Sequence, residues 1–486
     1  MRSLLAILNV LGALLALFAC YYLLPVATAL IYGENEALEV FLRCAGVTLA
    51  AGALLLLATR RFRAELKPRD GYLLVSLSWI AVTADAAVPM MLGAPHLSFT
   101  DAFFESMSGF STTGSTVING LDSLPHAINL WRCALHWLGG MGIIVLAVAV
   151  LPLLGVGGMQ MYRAEAPGPV KDAKLTPRIT ETAKALWLSY AGISVACILA
   201  LWGAGMSLFD AICHGFSVMS LGGFSTHDAS IAWFHSPLIE FVMIVFMLLA
   251  AVNFSTHYAA LRRADPGAYR RDPEARWMLL WLGSSLAGIT LLVRLAGLYP
   301  DLATTFRHTA FSVVALATTS GFVTEDYSRW PIFAPMWMLF LTCVIPSTGS
   351  TGGGIKLFRA LIMIKQARRE MFVLVHPAAV APLKIAGQVV PNRVIYSVLA
   401  FVFVYFMTVL LLTFALLAAG MDFISAFTAI IASVNNAGPG LGVVGPATNY
   451  AALSDLQTWI CTLAMFLGRL EIFTFLILFT RSFWRK

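Results

Sequence analysis

Apolar runs long enough to cross a bilayer recur along almost the whole chain. They lie near 4–32, 38–59, 71–93, 127–155, 182–204, 236–261, 276–298, 333–373, 394–419 and 453–482, and a helix of about 20 apolar residues covers the ~30 Å hydrocarbon core. The first run resembles a leader up to Cys20, but it continues to Ile31 and is read as a retained helix. The eighth is interrupted: 333–345 is apolar, 346–354 is a run of Pro, Ser, Thr and Gly, and 355–364 is apolar again, with Lys356 and Arg359. The part before Pro346 is too short to span, so the break is expected inside the membrane. Between the third and fourth, fifth and sixth, seventh and eighth, and ninth and tenth runs lie four semi-apolar segments of about 20 residues. They are too polar to span and too apolar for ordinary loops.

Those four segments align on a glycine: Ser108–Gly114, Ser217–Gly223, Ala315–Gly321 and Ala432–Gly438. Thirteen residues before it stand Asp101, Asp210, His308 and Ser425. Asp and Ser are N-cap residues, so the pattern predicts a capped short helix followed by an extended stretch. The fold class is therefore an all-α polytopic membrane protein: helix, re-entrant short helix with loop, and helix, four times over, around a central pathway. Two extra helices occupy 1–66, and the repeats are expected at 67–162, 163–270, 271–375 and 376–486.

Composition agrees with this picture. Of 486 residues 59% are hydrophobic and 12% charged, about half the charged fraction of soluble domains. The net charge of +7 would suggest nucleic acid in a soluble protein, but here the basic residues fill short connectors. Arg60, Arg61, Arg63, Lys67 and Arg69 fill one; Arg163, Lys171, Lys174 and Arg178 another; Arg262, Arg263, Arg270, Arg271 and Arg276 a third; Lys356, Arg359, Lys365, Arg368 and Arg369 a fourth; Arg481, Arg485 and Lys486 close the chain. All fall on one side, and the semi-apolar segments, with only Arg307 and Arg329, on the other. The positive-inside rule makes the connectors and both termini cytoplasmic. Seven cysteines stand singly, with no CxxC, so neither a disulfide framework nor a zinc site is expected.

A short helix entering from outside points its carbonyl end, the negative pole of its dipole, toward the midplane, where four would stabilise a cation. The Thr-, Ser-, Asn- and Gly-rich stretch that follows can offer carbonyls in place of a hydration shell. The candidate filter is thus Ser111, Thr112, Thr113, Gly114; Ser220, Leu221, Gly222, Gly223; Thr318, Thr319, Ser320, Gly321; and Asn435, Asn436, Ala437, Gly438. Four turn-rich external loops are the bland alternative, and the matching of all four places argues against it.

These stretches resemble the TrkH family, within the TrkH, KtrB and HKT superfamily of potassium transporters. The likeness covers essentially the whole chain: Asp101–Gly109 with Thr112-Thr113-Gly114; Arg163–Pro169 with Pro177-Arg178-Ile179; Gly222–Thr226; Thr318–Phe322; Pro346–Gly354; His376-Pro377; and Asn435–Gly442. Residues 4–59 are similar to the TrkH branch and extra relative to KtrB. His308 and Gly222 depart from the pattern. The resemblance implies K⁺ as transported ion, uptake across a bacterial inner membrane, no cofactor, a homodimer, and a cytoplasmic nucleotide-binding regulator called TrkA. It also implies a gating loop at Ser347, Thr348, Gly349, Ser350, Thr351, Gly352, Gly353 and Gly354, with Arg469 projecting into the pore beneath the filter.

On its own residues, Arg469 is an intramembrane arginine and a functional candidate, or else half of a structural pair. Glu471, two positions on, should face elsewhere on a helix. Asp85 and Glu105 are candidate proton or cation partners, with structural hydrogen bonding the plainer role; His214 and His257 read as ordinary buried polar residues. Residues 349–356 lack the Gly-Lys-Ser/Thr order of a phosphate loop, and no metal spacing or nucleophile elbow suggests an enzyme. K⁺ uptake, passive or coupled to H⁺, is the leading function. The alternatives are Na⁺-dependent K⁺ uptake of the KtrB type and an alternating-access carrier, which would show two inverted repeats and more than the single broken span visible here.

Overall fold

Most of the expected spans begin and end as helices close to where their apolar runs do. The computed structural model describes residues 2–62, 68–142, 179–385 and 387–485. The end of the fourth run (143–155), Arg63, Lys67, Arg163, Lys171, Lys174, Arg178 and Lys486, with the motif at 163–169, lie outside those residues. Among the described residues six helices are long and apolar enough to cross a membrane, eight if each of two bent pairs is one span. The two two-residue strands, β1 (Lys384–Ile385) and β2 (Gln388–Val389), pair antiparallel.

The first three helices are α1 (Arg2–Ala19), α2 (Leu23–Tyr32), joined to α1 by a single 3-10 turn, and α3 (Asn35–Thr59). Gly12 and Gly52 let α1 and α3 approach closely, since a Cβ on Gly52 would lie 2.7 Å from Ala16 N, the small-residue packing that holds helices together in lipid. This pair docks through Tyr22, whose ring stacks 4.6 Å from Trp131. Asp85 accepts from Tyr22 OH at 2.9 Å and Thr48 Oγ1 at 2.6 Å.

The first repeat is α4 (Pro68–Leu92), the short α5 (Phe99–Phe110) and α6 (His126–Met141). The second is α7 (Ile179–Gly203), α8 (Leu208–Ser220), and α9 (Pro237–Ala251) with α10 (Phe254–Arg263). After α11 (Gly267–Arg271), the third is α12 (Pro273–Leu295), α13 (Leu302–Ala317), α14 (Phe333–Val344) and α15 (Leu357–Val375). The fourth is α16 (Asn392–Ala418), α17 (Phe423–Val434), α18 (Asp455–Arg469) and α19 (Phe473–Leu476), followed by α20 (Arg481–Trp484).

The short helices α5, α8, α13 and α17 are capped, but not by the residues expected. Ser98, Ser207, Asp301 and Asp422 are the N-caps, accepting from the backbone N–H of Asp101, Asp210, Thr304 and Ser425. Asp101, Asp210 and Ser425 therefore stand three residues inside, and Ser98 and Ser207 also donate to the carboxylates of Asp101 and Asp210. In the third repeat the cap lies one turn earlier, so α13 has 16 residues against 12 in α5. His308 sits in the second turn of that longer helix, where no cap is required.

Among the described residues three spans are broken rather than one. α9 and α10 meet at 97°, and α18 and the segment from Phe473 at 101°. Asn253 makes the first break by capping α10, its Oδ1 accepting from Ser255 N at 2.8 Å. At the second, Glu471 and Ile472 both have φ of 54°, a conformation costly for a β-branched residue. The third is the expected one between α14 and α15, and α14, with 12 residues, is about 18 Å long.

Candidate ion-conduction site

Each short helix ends in the same hydrogen-bonded turn. Thr112 N donates to Gly109 O and Thr113 N to Ser108 O; Leu221 N and Gly222 N reach Val218 O and Ser217 O; Thr319 N and Ser320 N reach Leu316 O and Ala315 O; Asn436 N and Ala437 N reach Ser433 O and Ala432 O. These are the two bonds of a Schellman motif, whose left-handed residue is usually glycine. Here it is Thr112, Leu221, Thr319 or Asn436, with φ between 52° and 68°. Two residues on, Gly114, Gly223, Gly321 and Gly438 are left-handed again, φ 67° to 88°. An ordinary strand sends successive carbonyls to opposite sides; interleaved left-handed residues break that alternation.

The four glycines form a closed ring. A Cβ on Gly114 would overlap Gly222 O, one on Gly223 would overlap Ser320 O, and one on Gly321 would overlap Ala437 O. A Cβ on Gly438 would lie 2.9 Å from Thr113 O. Each glycine thus abuts the carbonyl of the residue just before the glycine in the next repeat, and the fourth returns to the first. A vestibule opens on this ring, lined by all four glycines and by Arg132, His227, Asp228 and Tyr450.

Several side chains of the candidate filter are held away from the ring. Ser220 and Thr318 donate back to Phe216 O and Val314 O of their own helices. Asn435 is fixed by Tyr405 OH at 2.7 Å and by Thr342 Oγ1 at 2.6 Å. Asn436 donates to Thr113 Oγ1 and to Met465 O, both at 3.0 Å, which ties the fourth repeat to the first. With these side chains committed, backbone carbonyls are the chemistry left for a desolvated cation.

Glycine also brings flanking helices against the short-helix ends. A Cβ on Gly139 in α6 would overlap Phe110 O, and one on Gly468 in α18 would overlap Val434 O. The two positions were not singled out from the sequence, although both lie in apolar runs where a glycine has a packing reason.

Beneath the ring lies the segment 346–354. Its Thr351 Oγ1 donates to Met219 O at 3.1 Å, and its Gly353 N to Thr319 Oγ1 at 3.2 Å. Gly353 leaves no room for a side chain, since a Cβ there would overlap Asn435 O. Arg469 donates to Thr351 O at 2.9 Å, to Gly140 O at 3.1 Å and to Gly139 O. Carbonyls, not the hydroxyls of Ser347, Thr348, Ser350 or Thr351, receive the arginine. Because α18 ends at Arg469, helical spacing does not separate it from Glu471, which binds Arg359 at 2.6 Å. Lys356, Arg359, Arg469, Glu274 and Glu471 form one charged cluster here.

Glu105 makes the structural hydrogen bonds that its plainer reading expected. It pairs with Arg132 at 2.8 Å, both side chains almost fully buried, and accepts from Val117 N and Thr116 Oγ1, each at 3.0 Å. Arg132 crosses to the second repeat through Ser225 O at 3.2 Å and lies over Phe224. Arg132 was missed, although an arginine in an apolar run is the same signal that marked Arg469. His214 and His257 are buried and hydrogen-bonded, His214 to Asp210 O and Ser225 Oγ, and His257 to Tyr269 OH and Leu249 O.

Fold and ring together define a polytopic α-helical membrane protein of four re-entrant repeats with two extra N-terminal helices. A family model described as TrkH, cation transport protein, matches residues 37–486. The chain belongs to this family of cation transport proteins. It is 47% identical over 483 residues to "Trk system potassium uptake protein TrkH" of Salmonella typhimurium, covering 99% of each chain. It is 40% identical to "Trk system potassium uptake protein TrkG" of Escherichia coli, over 98% of this chain and 97% of that one. The crystal structure of the potassium transporter TrkH from Vibrio parahaemolyticus superposes with a TM-score of 0.89 at 42% identity, over 100% of this chain and 99% of the other.

Proposed function

We propose that this protein takes up potassium across a bacterial inner membrane, with both termini cytoplasmic, through the path at whose centre the four glycines meet. The cyclic abutment of each glycine on its neighbour's carbonyl carries the reading, because it sets carbonyls of four repeats around one axis. Relatives named for potassium uptake over their full length support the choice of ion. A two-repeat carrier is disfavoured by this fourfold closure; the number of broken spans no longer separates the two, since three are broken.

In this reading the filter is the four stretches ending at Gly114, Gly223, Gly321 and Gly438, and the segment 346–354 with Arg469 closes the path below it. A cytoplasmic regulator of the TrkA kind acts on a homodimer, and the basic connectors put that regulator on the side of Lys356 and Arg359. Coupling to H⁺ belongs to the same proposal. Fluxes of K⁺, Rb⁺, Na⁺ and protons into liposomes holding the purified protein, with and without its cytoplasmic partner, test it. K⁺ and Rb⁺ should enter in strong preference to Na⁺, and entry should respond to the partner. Equal Na⁺ entry would sink the filter, and proton movement locked to K⁺ entry would establish the coupling.

A further inference from the structure

If residues 346–354 close the path, as proposed above, something must hold them closed, and the latch inferred from their contacts rests on that reading. The pore-facing half of the segment is held by Arg469, Met219 and Thr319. Three consecutive residues of the other half, 347–349, are held by different elements. Ser347 N donates to Ala251 O at 3.0 Å, and Phe254 N donates to Gly349 O at 3.1 Å. Both partners belong to the bend between α9 and α10. Between them, Thr348 N donates to Glu274 Oε2 at 2.7 Å.

Glu274 stands in the first turn of α12, where an acidic residue is ordinarily a solvated partner of the helix dipole. Here it is only 8% exposed, and one carboxylate oxygen is spent on a backbone N–H 74 residues away. The residue just before α12, Asp272, accepts from Glu274 N at 2.9 Å and from Thr256 Oγ1 of α10 at 2.7 Å. One chain of bonds therefore runs from α10, through Asp272 and the start of α12, to the middle of residues 347–349. The connector 262–272 lies between its two ends.

We propose that Glu274 is a positioning residue for the gate: its carboxylate latches the loop to the α10–α12 connector, so displacement of that connector releases the loop. The carboxylate holds the loop through Thr348 N, with the charge of Lys356 as a second neighbour. A hydrogen bond to a charged group sets the size of the effect, and without it a half-buried N–H loses its acceptor.

The test uses full-length protein in liposomes and Rb⁺ influx in the absence of the regulator. Glu274→Ala should raise basal influx by about one to two orders of magnitude, the factor matching the usual strength of a charged hydrogen bond, with K⁺ over Na⁺ preference unchanged. Glu274→Gln, whose amide oxygen can still accept from Thr348, should restore most of the closure. Thr348→Pro removes the donor with Glu274 intact and should reproduce the Ala variant, which keeps the test open if either protein folds poorly. In a protein lacking 349–353, Glu274→Ala should add nothing. Wild-type influx in Glu274→Ala and Thr348→Pro, with raised influx in the deletion, overturns the latch and leaves the loop reading standing. A deletion that keeps influx low overturns the loop reading itself. Lost selectivity, or an equal rise in the deletion background, also overturns the latch.

Discussion

Arg469 binds Thr351 by that residue's carbonyl oxygen, at 2.9 Å. The contact joins α18 of the fourth repeat to the segment under the ring, and the same guanidinium holds Gly139 and Gly140 of the first repeat. The arginine thus straps residues of two repeats and the segment 346–354 together, and in the proposed path it is a fixed positive charge.

Removing this side chain should raise conduction. A unit charge several ångströms from a passing cation adds about 2–4 kcal/mol to its barrier at an effective dielectric near 20, and the strap on Thr351 is lost at the same time. Arg469→Lys should fall between wild type and Arg469→Ala, since one ammonium cannot reproduce the fork of donors. Rb⁺ uptake checks the order, and unchanged uptake in a folded Arg469→Ala protein would refute it.

The ring makes a graded prediction. Gly114→Ser, Gly223→Ser and Gly321→Ser drive a Cβ into a neighbouring repeat's carbonyl, whereas Gly438→Ser meets its carbonyl at 2.9 Å. All four also carry the left-handed strain, of order 1–3 kcal/mol. The K⁺ over Na⁺ ratio should fall in each, least in Gly438→Ser. Wild-type ratios in all four would remove the filter assignment.

Glu105 and Arg132 should matter more to the fold than to the choice of ion. Breaking a buried pair from one side costs about 3–5 kcal/mol, so Glu105→Gln should lower the thermal midpoint in detergent. The single amide oxygen of that variant can serve Val117 N or the Thr116 and Arg132 side, not both, and the protein that remains folded should keep its selectivity. A lowered K⁺ preference at unchanged stability would assign the pair to the filter.

His227 gives the vestibule a pH dependence. Burial works to lower its pKa, but the Asp210 carboxylate 3.6 Å away and the hydrogen bond to Asp122 outweigh this and raise it above its ordinary value. The protonated ring then bridges Asp122 of the first repeat to Asp210 of the second, stacked on Trp233. A raised pKa means that this bridge is fully present below the unfolded value and is lost as pH rises through the folded one. Thermal stability in detergent should therefore decline as pH rises above the ordinary histidine range, by an increment that His227→Gln abolishes. An identical decline in the variant would place the titration elsewhere.

Much of this arrangement was legible in the sequence because the chain repeats it four times, each time with glycine where the backbone must be left-handed and close to another repeat. The caps were misplaced by three residues because in Ser98-x-x-Asp101 and Ser207-x-x-Asp210 both ends carry an oxygen that can cap, and only the backbone geometry chooses Ser. The bends after Ala251 and Arg469 were missed because a lone Asn253 or Glu471 within a run that turns apolar again does not by itself declare a break, and each turn also rests on contacts with distant segments, such as Ser347 N on Ala251 O. Glu274 was invisible for the same reason: its partner is one amide among hundreds, and no local spacing connects them.

The Schellman turns have one more consequence. The backbone that reaches the ring is set by hydrogen bonds inside each short helix end, and none of those bonds uses the side chain of Thr112, Leu221, Thr319 or Asn436. Three different identities are compatible with one main-chain trace. Successive units of a single polypeptide can therefore drift apart at that position, each acquiring its own outward contacts, while the opening they share keeps its shape.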